Sequence, residues 1–175
     1  MMVLVLGRNG SGKSVYAEKL AARLSSGALY YIATMIPYGN EGKTRVEKHR
    51  KQRETMGFIT MEKPISVSEI LLPPNADILL EDVSNLLGNA LFGGEKNGSA
   101  ESVLTDIMSL CAKCRTAILV SIDGLNAARE YDDQTRAYIE EMDRLNGQLA
   151  DLADTVITMC DGKPTFVKGD VYALD

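Results

Sequence analysis

Cysteine is scarce in this chain: Cys111, Cys114 and Cys160 are the only three in 175 residues, too few for a disulfide framework. Cys111 and Cys114 form a C-x-x-C pair, but a closed zinc site wants four ligands, and the single histidine, His49, lies far away in sequence. The pair falls at the end of a helical pattern just before a strand and is read as structural. Positive charge is not in excess either. Nineteen Lys and Arg stand against 24 Asp and Glu, a net charge of -5, which argues against a dedicated nucleic-acid binder. Long apolar runs are also missing. None approaches the ~18 residues of a membrane span, and the run Val3 to Leu6 is too short for a signal peptide. A cytoplasmic protein is expected. The 45% hydrophobic and 25% charged residues are those of a globular chain long enough to bury a core as one domain over 1–175.

What is present is an alternation of short apolar runs with helical spacing. Val3 to Leu6, Leu29 to Ala33, Phe58 to Met61, Ile78 to Leu80 and Thr116 to Ser121 read as strands. The apolar runs without polar alternation suit strands buried on both faces. Between them lie predicted helices: Ser14 to Leu24, anchored by Val15, Leu20 and Leu24; Glu41 to Met56; one through Leu86, Leu87 and Leu91; and Ala100 to Cys114. Tyr138, Met142, Leu145, Leu149 and Leu152 step by four and three along a further amphipathic helix. Phe92 to Ser99, "FGGEKNGS", reads as a loop. Thr155 to Met159 and Thr165 to Val167 read as a closing strand pair around "DGKP". The alternation predicts an α/β fold with a mainly parallel sheet.

"GRNGSGKS", Gly7 to Ser14, fits G-x-x-x-x-G-K-[ST], and it sits between a predicted strand and a predicted helix as that motif requires. Gly7, Arg8, Asn9, Gly10, Ser11 and Gly12 would supply backbone N–H groups around phosphate oxygens, helped by the helix N-terminus. Lys13 would reach the β- and γ-phosphates, and Ser14 would ligate magnesium. Lys13 is expected to face solvent until phosphate arrives. A chance match anywhere in the chain is expected on the order of one per cent of the time. The pattern therefore points to GTP or ATP with Mg2+. Glu81 and Asp82 follow the strand Ile78 to Leu80; Glu81 is favoured as the magnesium-side acid, and Asp82 as a helix N-cap.

"TRVEKHRKQR", 44–53, places His49 four residues after Arg45 and four before Arg53, on one face of a helix. One reading is a solvated basic helix that holds a histidine by accident. The other is chemical. A histidine nucleophile must be neutral, and two flanking cations push its pKa below about 6.5. The same arginines suit the oxygens of a phosphate under attack.

The ordered blocks "LVLGRNGSGKSVYAEKL", "YIAT", Glu41 with Arg45, His49 and Arg53, "ILLEDVSNLLGNALF" and "RLNGQLADLADTVITMCDGKP" span most of the chain. Together they resemble the bifunctional adenosylcobinamide kinase / adenosylcobinamide-phosphate guanylyltransferases of cobalamin biosynthesis. That resemblance implies a RecA-like P-loop NTPase fold of three layers. It implies phosphorylation of adenosylcobinamide, then transfer of GMP from GTP through a guanylyl-histidine at His49. It also implies a homo-oligomer, with a trimer as the size in view, and small-molecule partners only. One segment departs from the family pattern. After Ile118 to Ser121 the family usually reads close to N-E-V-G, and here the chain reads "IDGLNAAREYDDQTRAY", with Asp123 as the acid available. Two other readings follow from that departure: a P-loop kinase or NTPase acting on another acceptor, and a nucleotide-binding switch without chemistry.

Overall fold

A computed structural model of the chain describes residues 1–36, 53–93, 98–125 and 131–170. Seven strands form one sheet: β1 (Met2–Gly7), β2 (Leu29–Ala33), β3 (Phe58–Glu62), β4 (Ala76–Glu81), β5 (Cys114–Ile122), β6 (Thr155–Cys160) and β7 (Lys163–Lys168). Their spatial order is β3-β2-β4-β5-β1-β6-β7. Every pairing is parallel except β6 with β7.

Side-chain alternation in the central strands divides the core in two. Val3 and Val5 of β1, Leu79 of β4, and Ile118 and Val120 of β5 point to one face, where they meet Ala17, Leu20 and Ala21 of helix α1 (Lys13–Leu24). Met2, Leu4, Ile78, Leu80, Ala117 and Leu119 point to the other. There they meet α2 (Val83–Phe92), α3 (Ala100–Cys111) and α4 (Asp133–Leu152). Both faces are covered, which is why these strands carry no polar alternation. Helices above and below one sheet make the expected three layers.

Several expected boundaries shift. Val15 is 55% exposed: at about 100° per residue it lies roughly 140° around α1 from Leu20, so Ala17, Leu20 and Ala21 form the buried stripe. Leu152 is likewise exposed at the last turn of α4. Phe92 ends α2 rather than opening a loop. Helix α3 stops at Cys111, and Cys114 already begins β5. Burial pushes the Cys111 thiol up to about 12 and the Cys114 thiol up to about 11, which suits structural cysteines. Only 53–54 of the expected helix Glu41 to Met56 are described as helical, and 55–57 turn away. Residues 41–52 of that helix, with Arg45 and His49, lie outside the described residues.

Two devices close the carboxyl side of the sheet. The β6–β7 hairpin turns through Asp161 and Gly162, at φ 48° and 75°; a two-residue turn with both central φ positive is what an Asp-Gly pair favours. Asn146 of α4 is buried, accepts from Ser121 Oγ at 2.7 Å and donates to the Ile122 carbonyl at 2.7 Å, fixing α4 to the end of β5.

Candidate active site

The carboxyl ends of β1 and β4 are the centre of the site, with β5 between them. After Gly7 the chain turns through Gly10 (φ 78°) and Gly12 (φ 86°), a left-handed backbone that favours glycine. The Ser11 N–H donates to the Arg8 carbonyl at 3.1 Å. A side chain at Gly7 would put its first carbon 2.5 Å from Ser11 Oγ and 3.0 Å from the Met159 carbonyl. Gly12 caps α1 without a side-chain partner, so the first N–H groups of a twelve-residue helix are left for an anion. The loop is braced from outside. The Gly162 N–H donates to the Ser11 carbonyl at 3.0 Å. Arg8 lies across Gly124, where any added side chain would sit 2.7 Å from the arginine Nε.

Lys13 is only 7% exposed. The expectation that it faces solvent is corrected: its stem is packed at the start of α1, and its charge acts on Glu81. Ser14 Oγ donates to Glu81 Oε1 at 2.5 Å. Burial pushes the Glu81 carboxyl up to about 7, against the Ser14 hydrogen bond and the Lys13 charge. Glu81 Oε2 and Ser11 Oγ are buried with no hydrogen-bond partner. Two orphaned oxygens, one on the phosphate loop and one on the acid bonded to Ser14, fit a hydrated cation and phosphate. Mg2+ keeps several waters and takes one or two protein groups plus phosphates. The set Ser14 and Glu81 is of that size, and no cluster of three or more His, Cys, Asp or Glu able to hold a metal occurs among the described residues.

Asp82 has the role expected of it. Its carboxylate caps α2, accepting from the Asn85 N–H at 2.7 Å and from Ser84 Oγ at 2.6 Å. Arg53 is 7% exposed and stacks its guanidinium 3.8 Å from the centre of the Tyr31 ring, a cation–π contact. Burial, with Glu81 close by, pushes the Tyr31 phenol up, and Arg53 opposes the shift. Arg53 therefore belongs to the α1 side of the sheet, beside Tyr31.

A profile of the family described as "Cobinamide kinase / cobinamide phosphate guanyltransferase" matches residues 3–167. The chain belongs to this family. It is 28% identical over 176 residues to the bifunctional adenosylcobalamin biosynthesis protein CobP of Pseudomonas aeruginosa, covering 97% of this chain and 99% of that protein. Among solved structures it resembles the flagellar accessory protein FlaH from Methanocaldococcus jannaschii, with a TM-score of 0.53 at 11% identity, over 97% of this chain and 78% of that one. A prototypical ATPase from the type III secretion system of pathogenic bacteria gives 0.52 at 12% identity, over 90% and 50%. At such identities the likeness shows the fold alone, that of the P-loop NTPases.

Residue reasoning on this cobinamide kinase / guanyltransferase family member did not single out Thr34, the last residue of "YIAT". It is fully buried, donates to the Asp82 carbonyl at 2.7 Å and accepts the Asp82 N–H at 2.8 Å. Its own N–H donates to the Glu81 carbonyl at 3.0 Å, and Asn89 Nδ2 donates to its carbonyl at 2.8 Å. Thr34 thus pins the segment that carries the candidate magnesium-side acid. A lone threonine just past the end of a strand carries no periodic signal.

Proposed function

We propose that this chain phosphorylates adenosylcobinamide and then transfers GMP from GTP to adenosylcobinamide phosphate, within a single nucleotide-binding domain over 1–175. The observation that carries the reading is the joining of Ser14 in the phosphate loop to Glu81 on a separate strand, in a chain matched to the family over residues 3–167. In the first reaction Gly7 to Gly12 hold the phosphates through backbone N–H groups, and Lys13 offsets charge on the transferred phosphoryl group. Ser14 and Glu81 would hold Mg2+, which would offset negative charge on the reacting phosphates. The γ-phosphoryl group passes to the hydroxyl of the aminopropanol arm.

In the second reaction a neutral His49 nitrogen attacks the α-phosphorus of GTP. A phosphorus–nitrogen bond forms and pyrophosphate leaves. The phosphate of adenosylcobinamide phosphate then attacks the same phosphorus, the phosphorus–nitrogen bond breaks, and the imidazole is restored. Arg45 and Arg53 keep His49 neutral and offset charge on the phosphate.

Labelling tests both halves. Wild type exposed to GTP labelled at the α-phosphate takes up label that survives alkali and is lost in acid. His49→Ala takes up none yet keeps kinase activity, because γ-transfer to an alcohol needs no covalent enzyme species. Lys13→Met keeps the buried stem and loses γ-transfer by at least a hundredfold. Wild type that phosphorylates cobinamide without ever taking up α-label would be a kinase only, its second activity lost. That reading draws on the divergent segment after β5, which packs Gly124 against Arg8 of the phosphate loop.

A further inference from the structure

A cleft of about 450 Å³ opens between α2 and α4 on the carboxyl side of the sheet. Ser84, Asn85, Gly88 and Phe92 form one wall, and Gln134 and Tyr138 stand on the other. Its size is within the ~300–1,000 Å³ of small-molecule pockets. Its chemistry is unusual beside a phosphate site, because none of its lining residues is charged. The two helix N-termini nearby are already satisfied by their own aspartates, Asp82 and Asp132, so the cleft does not call for an anion. What it offers is side-chain amides and aromatic faces. Phe92 and Tyr138 stand with ring centres 6.1 Å apart, tilted by 41°. The Tyr138 hydroxyl donates to the Ser84 carbonyl at 3.0 Å, and burial pushes that phenol up to about 12, so the wall stays neutral. Gly88 faces the Tyr138 ring across the cleft: a methyl there would meet that ring at 3.8 Å, an ordinary contact, so only a larger side chain would fill the space.

The cleft also has the right place. Ser84 is three residues beyond Glu81, and three residues of chain span at most about 11 Å. A ligand seated between α2 and α4 therefore keeps a projecting arm within reach of the carboxyl edge where the phosphate loop ends.

We propose that this cleft is the subsite for the amide-fringed edge of the corrinoid acceptor, with Asn85 and Gln134 pairing with its primary amides and Phe92 and Tyr138 covering its apolar rim. The proposal rests on the functional reading above. A corrinoid is larger than the cleft, so the cleft holds one edge and leaves the arm free to reach the nucleotide. Amide pairs with amide by donor and acceptor at once, which would set acceptor orientation without adding charge beside the transferred phosphate.

The test uses the full chain and cobinamide as probe. Its binding is followed by equilibrium dialysis and its phosphorylation by γ-label. Asn85→Ala and Gln134→Ala should each weaken cobinamide binding and raise its KM roughly fivefold, the worth of one neutral hydrogen bond, with kcat held. Gly88→Leu, which fills the cleft, should weaken binding by more. The rise in melting temperature caused by GTP should keep its wild-type size in all three. Wild-type cobinamide affinity in these variants would overturn the cleft assignment and leave the functional reading standing. So would a loss that falls on GTP instead, since the cleft would then hold the nucleotide base. Failure of the wild-type chain to bind or phosphorylate cobinamide would overturn the functional reading and the subsite with it.

Discussion

Glu81 is under two opposed demands. Burial favours its neutral form, and a bound cation favours its carboxylate. Its partner Ser14 hydrogen-bonds one oxygen, while the other oxygen has no partner. Neighbouring Asp82 spends its carboxylate on the helix N-terminus. The two acids are therefore separable by substitution. Glu81→Gln should raise the magnesium concentration needed for half-maximal phosphorylation by about tenfold, the usual scale for groups that support a metal. Asp82→Asn keeps a good N-cap and should leave that concentration within a factor of two; the reverse ranking in a magnesium titration would name Asp82 as the acid. Thr34 is a further test at this scale. Thr34→Val removes the hydroxyl that meets both the Asp82 N–H and the Asp82 carbonyl. Leaving that N–H unsatisfied should cost about 2 kcal/mol in urea unfolding, with a weaker magnesium response.

At the scale of elements, the far end of the sheet is held by one ion pair. Asp77 at the start of β4 is 2% exposed and accepts from Arg115 of β5 at 2.6 Å. It also accepts the Ser26 N–H at 3.2 Å, while Arg115 donates to the Leu24 carbonyl at 2.7 Å. The pair ties β4, β5 and the end of α1 together. Burial alone would raise the Asp77 pKa, but the hydrogen bonds from Arg115 and Ser26 outweigh it and hold the carboxyl below its ordinary 3.8. A folded pKa below the unfolded one means that this stability is present above about pH 3.8 and is lost as pH falls through the folded value. Arg115→Met should cost about 2 kcal/mol at pH 7 and markedly less at pH 3, read by urea unfolding at both.

Sequence reasoning located these elements better than it located their contacts. Strands covered on both faces show as unbroken apolar runs, so β2 was legible to the residue. Helix faces were less so. Val15 carries a β-branched apolar side chain at the first turn of α1 and looks like an anchor until the angle to Leu20 is worked out. The short 3-10 turn Val67–Glu69 was not foreseen. It is held by Asp106 of α3, whose carboxylate accepts the Val67 and Ser68 N–H groups at 2.7 and 2.9 Å, and no local signal announces so distant a partner. Arg53 shows the same limit. Its spacing from His49 suggested a phosphate contact, while its guanidinium packs on Tyr31 of β2, far away in sequence.

For the whole molecule, the decisive arrangement is the strand order. Motif reasoning could name Gly7 to Ser14 and Glu81 separately, but only pairing β5 between β1 and β4 shows how a loop after the first strand meets an acid that ends the fourth. Chain order says nothing of that insertion. It also hides the last contact. The turn at Asp161 and Gly162 lies far beyond the phosphate loop in sequence, yet the Gly162 amide hydrogen rests on the carbonyl of Ser11. That single proton is a reporter built into the backbone. Its exchange with deuterated water would time the opening of the phosphate loop directly, with neither corrinoid nor nucleotide turned over, and its slowing on addition of a triphosphate would measure occupancy one residue at a time.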